Sequence, residues 1–434
     1  MSTLTLLLEY IRVRHLRSRN VAQLRRRQER GVEAHLKWVL ERSPYTAERF
    51  EGYGVERWRE VPTIGKREMM ANFHRLNTAG VSLDEAMALA KQDEASRDFN
   101  ANLDGITVGL SSGTSGLLGL FMATQREQAQ WAGTILAKVV PQHILLPIRD
   151  RVAFFLRANN SLYERTASKR LVFSFFDLIE EFAQQLSRLR ELSPTLLVAP
   201  PSLLRQIATE VESGNLKLEP KRVISVAEPL DPIDRARFER TFGQGVHQVY
   251  QATEGLLGTT CSHGTLHLNE ESIIFEREHL DERRFIPIIT DFRRRTQPII
   301  RYRLDDVLLM REEPCPCGSP CLAIESIEGR EGDILIGRRG DGGERQIYAD
   351  FVRRAVLTSS PNIEDYGVRQ RGHDQLELYI RPDTAEVRGA ATDALTALFE
   401  QLNCVAPEVA RVDSWPKGGM KKRRRVVRDV ESPT

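Results

Sequence analysis

Thr195-Leu196-Leu197-Val198-Ala199, Pro201 to Ser213 and Arg222-Val223-Ile224-Ser225-Val226 follow one another as strand, helix and strand, and they decide the fold class. The short apolar runs read as strands, and the longer stretch between them carries apolar residues at helical spacing. The pattern extends upstream: Val152-Ala153-Phe154-Phe155-Leu156 and Leu171 to Phe176 are two more strands, with a helix over Ile179 to Leu192. Strands alternating with helices predict an α/β domain with a largely parallel sheet. Residues 1–100 form a mainly helical lead-in, with helices over Val21 to Leu40 and Leu83 to Asp93 and a break at Pro62-Thr63-Ile64. Beyond Gly329 the chain starts afresh: a helix near Tyr348 to Leu357, strands near Asp365 to Gln370 and Gln375 to Arg381, a helix from Thr384 to Leu402 and a final strand. The expected organisation is α/β, with a large N-terminal domain over 1–330 built on mixed and parallel sheets and a small α+β C-terminal domain over 331–434.

The 434 residues carry 62 Lys+Arg and 60 Asp+Glu, a formal charge of +2, and 41% are hydrophobic. That balance excludes a disordered chain and a strongly basic nucleic-acid binder. No run approaches the roughly 18 apolar residues of a membrane span. Leu4 to Ile11 is interrupted by Glu9 and has no basic residue before it, unlike a secretory signal. Five cysteines, three of them at Cys315, Cys317 and Cys321, are too few and too clustered for a disulfide framework. They suit metal ligands in a reducing compartment, so a cytoplasmic location is expected. Arg12, Arg14, Arg17, Arg19, Arg25-Arg26-Arg27 and Arg30 fit a single helix with Leu4, Leu7, Leu8 and Ile11 on its apolar face. Two readings stay open: the leucines pack on the main domain, or the helix makes a peripheral contact with anionic lipid.

Ser111-Ser112-Gly113-Thr114-Ser115-Gly116 follows the apolar Ile106-Thr107-Val108. Clustered hydroxyls and glycines let backbone N–H and side-chain O–H groups wrap an anion such as a phosphate. No Lys follows the glycine, so this is not a Walker loop. Gly109-Leu110-Ser111-Ser112-Gly113 also spells G-x-S-x-G, which makes Ser111 a candidate hydrolase nucleophile with His247, His263 or His267 as base. Downstream, Ala227-Glu228-Pro229 follows a strand with an abrupt turn, and Val249-Tyr250-Gln251-Ala252-Thr253-Glu254 ends another with an aromatic, a hydroxyl and a carboxylate. Ligands of open α/β sheets bind at such strand ends. A carboxylate beside a phosphate loop suits Mg²⁺, and Asp305-Asp306 suits ribose hydroxyls.

In this order and spacing these segments resemble the adenylate-forming superfamily, most closely its phenylacetate–CoA ligase-like and coenzyme adenylyltransferase-like branch, from Pro62 to the C-terminus. Ser111 to Gly116 is similar to the family's phosphate loop S-S-G-T-T-G, and Ala227-Glu228-Pro229 to the segment that runs along the adenine. Tyr250, Thr253 and Glu254 match Y-G-x-T-E, whose Tyr stacks on adenine and whose Glu holds Mg²⁺. Asp306 matches the ribose-binding Asp, Arg330 the Arg of the hinge motif, and Val61 to Lys66 an early L-P-x-x-x-K segment. Departures are Gln251 for a usual Gly, Leu304-Asp305 for T-G, and Gly332 in place of the hinge Asp or Lys. The catalytic Lys of the family's last strand falls on Lys422 when counted back from Val426, or on Lys421 by nearness to Gly418-Gly419.

The resemblance implies an adenylation domain over 1–330 and a lid over 331–434, with ATP and Mg²⁺ as cofactors. A small-molecule carboxylic acid is converted to acyl-AMP, then passed to CoA or an acyl carrier protein, and a homodimer is common in the branch. An adenylyltransferase acting on a hydroxyl and a non-catalytic nucleotide-binding homologue keep the same ATP site. Cys261, His267, Cys315 and Cys317 form a Cys₃His set suited to a structural Zn²⁺, with His263 and Cys321 in reserve; against it stands a small core Cys261 and a turn at 315–317. The acid pocket would draw on Trp131, Phe154, Phe155, Phe173, Phe175 and Phe176, unless these pack the core.

Overall fold

The computed structural model describes residues 2–15, 17–97, 102–110, 119–140, 150–156, 171–416 and 424–429. At its centre is a twelve-stranded sheet. Strands β1 (Ile106–Leu110) and β2 (Leu120–Thr124) form a separate hairpin ahead of it, paired from Ile106–Thr124 to Leu110–Leu120. Then come β3 (Asp150–Leu156), β4 (Leu171–Asp177), β5 (Leu196–Ala199), β6 (Arg222–Val226) and β7 (Val246–Ala252), which lie side by side in the order β4-β3-β5-β6-β7 and are all parallel. The sheet continues antiparallel through β8 (Gly255–Thr260), β9 (Leu266–Leu268), β10 (Ile273–His279), β11 (Arg284–Asp291), β12 (Ile299–Arg303), β13 (Asp306–Met310) and β14 (Ala323–Arg330).

Alternation along the central parallel strands β5 and β6 explains their apolar runs. Leu197, Ala199 and Val223 face helices Phe182–Leu192, Pro201–Glu212 and Pro232–Phe242. Leu196, Val198 and Ile224 face the opposite layer, helix Gln125–Val139 and the N-terminal helix. Both sheet faces are covered, so the centres of these strands carry apolar residues on both sides.

The N-terminal stretch departs from the single-helix expectation. It is two helices, α1 (Ser2–His15) and α2 (Val21–Leu40), the second N-capped by Asn20, whose side chain accepts from Gln23 N. In α2 the apolar face turns inward, burying Leu24, Val32, Leu36 and Val39, each worth about 1.5–3 kcal/mol relative to exposure. In α1 it is reversed: Glu9 and Tyr10 are buried whereas Leu4, Leu8 and Ile11 are exposed. The reason is electrostatic and steric. Glu9 accepts from Arg293 at 2.8 Å and from the Thr134 hydroxyl at 3.2 Å, and Arg12 pairs with it. Gly133 lacks the Cβ that would meet Leu6 O at 2.5 Å, so the α1 backbone settles directly on the helix beneath it.

From the hairpin β15 (Leu335–Arg338) and β16 (Glu344–Ile347) onward the chain builds a separate core, to which Leu335 and Ile347 contribute. Helices Ala349–Ser359 and Ala385–Gln401 pack on a four-stranded sheet, β19-β18-β17-β20, of β17 (Asp365–Gly372), β18 (Gln375–Arg381), β19 (Glu408–Arg411) and β20 (Val426–Arg428). This unit is fastened to helix Pro232–Phe242: buried Arg425 pairs with Asp234 at 2.7 Å and Asp365 at 3.0 Å, and the Tyr366 hydroxyl donates to Asp231 at 3.0 Å.

Candidate active site

A cavity of ≈ 610 Å³ opens at the carboxyl ends of β6 and β7, the position where open α/β sheets take ligands and a volume usual for small-molecule sites. Of the sequence-predicted residues, Ala227, Glu228, Pro229, Tyr250, Thr253, Glu254, Asp306 and Arg330 all line it. Ser111, Ser112, Gly113, Thr114, Ser115 and Gly116 lie outside the described residues, as do Lys421 and Lys422. The flanks of both segments are described: Leu110, at the end of β1, and Arg424, two residues past Lys422, line the same cavity.

The local geometry follows from strand ends and one bulge. Pairing of β7 with β8 shifts register between Tyr250 and Gln251; such a bulge re-aims the side chains around it. The Tyr250 hydroxyl donates to Asp306 Oδ2 at 2.7 Å. Burial first, then Asp306, holds its pKa well above 10, so the hydroxyl stays a donor. Asp306 pairs directly with Arg330 across β13 and β14. Ala227 sits at φ 67°, a left-handed backbone that a residue with a Cβ adopts only at a cost of roughly 1–3 kcal/mol and that clusters at functional sites. Glu228 caps helix Pro201–Glu212, accepting from Ser202 N at 3.0 Å and from Ser202 Oγ at 2.9 Å.

Glu254 is the fixed point. Only 8% exposed, it accepts from the Tyr302 hydroxyl at 2.9 Å on one oxygen and from Thr253 Oγ1 at 2.9 Å on the other. Burial and Glu254 drive the Tyr302 pKa upward, so Tyr302 remains protonated. The turn beneath is braced by Arg294, which donates to Thr253 O and to Gln297 Oε1, both at 2.6 Å. Gln297 in turn donates to Leu120 O at 3.0 Å and accepts from Met122 N at 3.0 Å, tying the Glu254 turn to β2. A carboxylate anchored by two hydroxyls beside a polar cavity is a hard oxygen donor that fits Mg²⁺.

Several lining residues were not assigned from sequence. Lys66 reaches the cavity because residues 62–66 run alongside β12: Ile64 N donates to Arg301 O at 3.0 Å, and Ile64 O accepts from Arg303 N at 2.8 Å. Burial lowers its pKa, Glu254 opposing and Arg330 reinforcing that shift. Its signal was present in the Val61 to Lys66 segment. Arg294 offered none, since Arg293-Arg294-Arg295 reads as a solvated run. Asp333, buried at 4% exposure, pairs with Arg424 beside Gly332.

The cavity continues between β3, β4 and helix Gln125–Val139 as an apolar arm. Trp131, Phe154 and Phe173 line it, whereas Phe155 and Phe176 are core residues stacked at 4.4 Å. Glu9 and Arg293 line the same cavity.

A second constellation lies on β8, β9 and the turn after β13. The ligand atoms of Cys261, His267, Cys315 and Cys317 all lie within 4.8 Å of one another. Cys261 and Cys315 sulfurs are 3.6 Å apart, against about 3.8 Å for two thiolates on one tetrahedral zinc at ~2.3 Å. His267 Nδ1 faces Cys321 O at 2.9 Å, which directs Nε2 toward Cys317 Sγ, 3.3 Å away. Backbone N–H groups of His263 and Ser319 donate to Cys261 and Cys317 sulfurs at 3.4 Å, in turns closed by Gly264 and Gly318 at φ 79° and 70°. Cys321 therefore enters through its carbonyl, and the exposed His263 through its backbone. The donor set fits a closed, structural zinc.

No family model matches the chain. The protein CapK of Staphylococcus aureus is 25% identical over 198 residues, a match spanning 45% of this chain and 43% of that protein, so the chain spans less than half the length of that relative. Solved structures agree over much more of the chain. A 2-hydroxyisobutyryl-CoA ligase in complex with 2-HIB-AMP superposes with a TM-score of 0.68 at 17% identity, covering 93% of this chain and 89% of that one. The GH3.15 acyl acid amido synthetase gives 0.55 at 12% identity, covering 90% and 86%. The anthranilate CoA ligase AuaEII in complex with anthranoyl-AMP gives 0.51 at 12%, covering 73% and 65%.

Proposed function

We propose that this chain, which has the fold of the adenylate-forming enzymes, is an ATP-dependent ligase that activates a carboxylic acid as its acyl-adenylate. The observation that carries the reading is the convergence of Tyr250, Glu254, Asp306 and Arg330 in one cavity that runs on into an apolar arm. A nucleotide would occupy the polar end and an acyl group the arm.

In this reading a carboxylate oxygen of the acid attacks the α-phosphorus of ATP, the bond to the bridging oxygen breaks, and pyrophosphate leaves with the electron pair. Tyr250 lies against the adenine and Asp306, oriented by the Tyr250 hydroxyl, accepts from the ribose hydroxyls. Ser111 to Gly116 hold the phosphates through backbone N–H and hydroxyl groups. Lys422 offsets charge developing at the α-phosphate, and Arg424, on the cavity wall, supports that placement. Glu254 and Thr253 would hold Mg²⁺, which supplies charge neutralisation for the phosphates. Residues 331–434 act as a lid turning about Gly332, and a thiol of CoA or of a carrier protein then attacks the acyl carbon and releases AMP. The Cys₃His set would hold a zinc that braces β8, β9 and β14.

ATP–pyrophosphate exchange across aryl, hydroxy and fatty acids tests this. Acid-dependent exchange, lost in Glu254→Ala and in Lys422→Ala but not Lys421→Ala, is the expected outcome. Nucleotide binding without exchange for any acid would refute acid activation, and absence of nucleotide binding would return Ser111 as a hydrolytic nucleophile.

A further inference from the structure

The outer face of α1 is unused by any of this chemistry. Leu4, Leu8 and Ile11 are 64%, 58% and 40% exposed, and His15 is exposed in line with them. At 3.6 residues per turn all four fall within about 60° around the helix axis, so they form one stripe. Of the seven large hydrophobic residues exposed among the described residues, four fall within the first 21 positions, Val21 being the fourth. That is a cluster, whereas exposed apolar residues scattered singly need no explanation.

Charge is concentrated in the same stretch of chain. Residues 11–30 hold eight arginines against one glutamate, a net +7 where the whole chain carries +2, so the remainder is at −5. Arg12 and Arg27 are committed to Glu9 and Glu271. Arg17, Arg19, Arg25, Arg26 and Arg30 are exposed.

We propose that α1 and the start of α2 form a docking surface for an anionic lipid bilayer. The leucine stripe enters the acyl boundary and the arginines meet the headgroup phosphates, the division of labour of an interfacial amphipathic helix. A nucleic acid would satisfy the arginines and leave the leucines in water. A second copy of this chain, in a two-fold contact, would bring +7 against +7. No helix of the described residues is long and apolar enough to cross a membrane, so the contact is peripheral.

The test uses full-length protein sedimented with vesicles of phosphatidylcholine alone and with about 30% phosphatidylglycerol. Each basic residue near an anionic leaflet is worth about five-fold in partition, so Arg17→Glu with Arg19→Glu is expected to lower binding to the anionic vesicles by at least ~25-fold. Leu4→Ser with Leu8→Ser, both at exposed sites, is expected to lower it at least ~10-fold, with an unchanged Tm and circular dichroism spectrum. Binding of the unaltered protein should fall as salt is raised from about 50 to about 500 mM. Equal sedimentation with both vesicle types, binding to neither, or binding that both double variants leave intact would overturn the proposal. A dimer that Leu4→Ser with Leu8→Ser dissociates, without vesicle binding, would reassign the stripe to self-association.

Discussion

Tyr302→Phe isolates the anchoring of Glu254. The substitution removes one hydroxyl and keeps the ring, so it opens almost no cavity, and the loss is confined to the 2.9 Å hydrogen bond to Glu254 Oε1. A hydrogen bond to a charged acceptor contributes about 1.5–3 kcal/mol. Water from the cavity can partly replace the hydroxyl, which places the cost to folding near the lower bound, ~1.5 kcal/mol by urea unfolding. Activity should suffer more than stability. With Thr253 the one hydrogen-bond donor left to it among the described residues, the carboxylate is free to turn, and the same ~1.5–3 kcal/mol withdrawn from the transition state is a fall of about 10- to 150-fold in ATP–pyrophosphate exchange. The midpoint of a Mg²⁺ titration should move upward in parallel. Tyr348→Phe is the control: its hydroxyl donates to Gln346 at 3.0 Å outside the cavity, so it should cost stability and leave exchange unchanged. A Tyr302→Phe enzyme with wild-type exchange and an unmoved Mg²⁺ midpoint would refute the role given to Glu254.

Three further outcomes follow from the geometry. Cys317→Ser removes one donor of the Cys₃His set, so about one zinc per chain found in the parent by a chromogenic chelator should drop sharply, with faster proteolysis around β9 and β14. Gly133→Val puts a Cβ at 2.5 Å from Leu6 O and 3.0 Å from Tyr10 N; both are backbone atoms that cannot step aside, so a loss of about 1–3 kcal/mol and early protease cleavage within α1 are expected. Asp291 is buried on the cavity wall and its pKa is raised from 3.8 to about 6, by burial against the opposing N–H groups of Arg293 and Arg294. An acid raised in the folded state contributes stability present below about pH 3.8 and lost as pH rises through about 6. Asp291→Asn keeps an oxygen for both N–H donors and loses the titration, so relative to the parent it should gain roughly 2 kcal/mol between about pH 4.5 and about 7.5 in urea unfolding.

How much of this was legible depended on whether the deciding interaction was local. The helix over Val21–Leu40 could be bounded to the residue because Asn20 caps it and its apolar residues recur at helical spacing. The strands around Leu197, Val223 and Phe155 could be read because burial on both faces leaves unbroken apolar runs. The antiparallel half was far less visible. Strand β9 is three residues long, and β14 pairs with it through Ala323 and Ile324 across more than fifty positions of chain. Nothing within either segment specifies that partner.

The site divides the same way. Tyr250, Glu254 and Asp306 could be found because strand ends put chemistry into short motifs, but what fixes them could not. Tyr302 holds Glu254 from β12, and Arg294 braces Thr253 from a loop that reads as solvent. The α1 helix shows why periodicity alone fails here. A stripe of Leu4, Leu8 and Ile11 says only that one face is apolar; which face turns inward depends on the ground it lands on. That ground offers Arg293, Thr134 and the bare backbone of Gly133. A half-buried arginine favours a carboxylate partner, and Glu9 is the one acidic residue α1 carries. The helix therefore docks through Glu9 together with Tyr10, Leu6 and Val13, brings Glu9 to the cavity wall, and leaves Leu4, Leu8 and Ile11 outside.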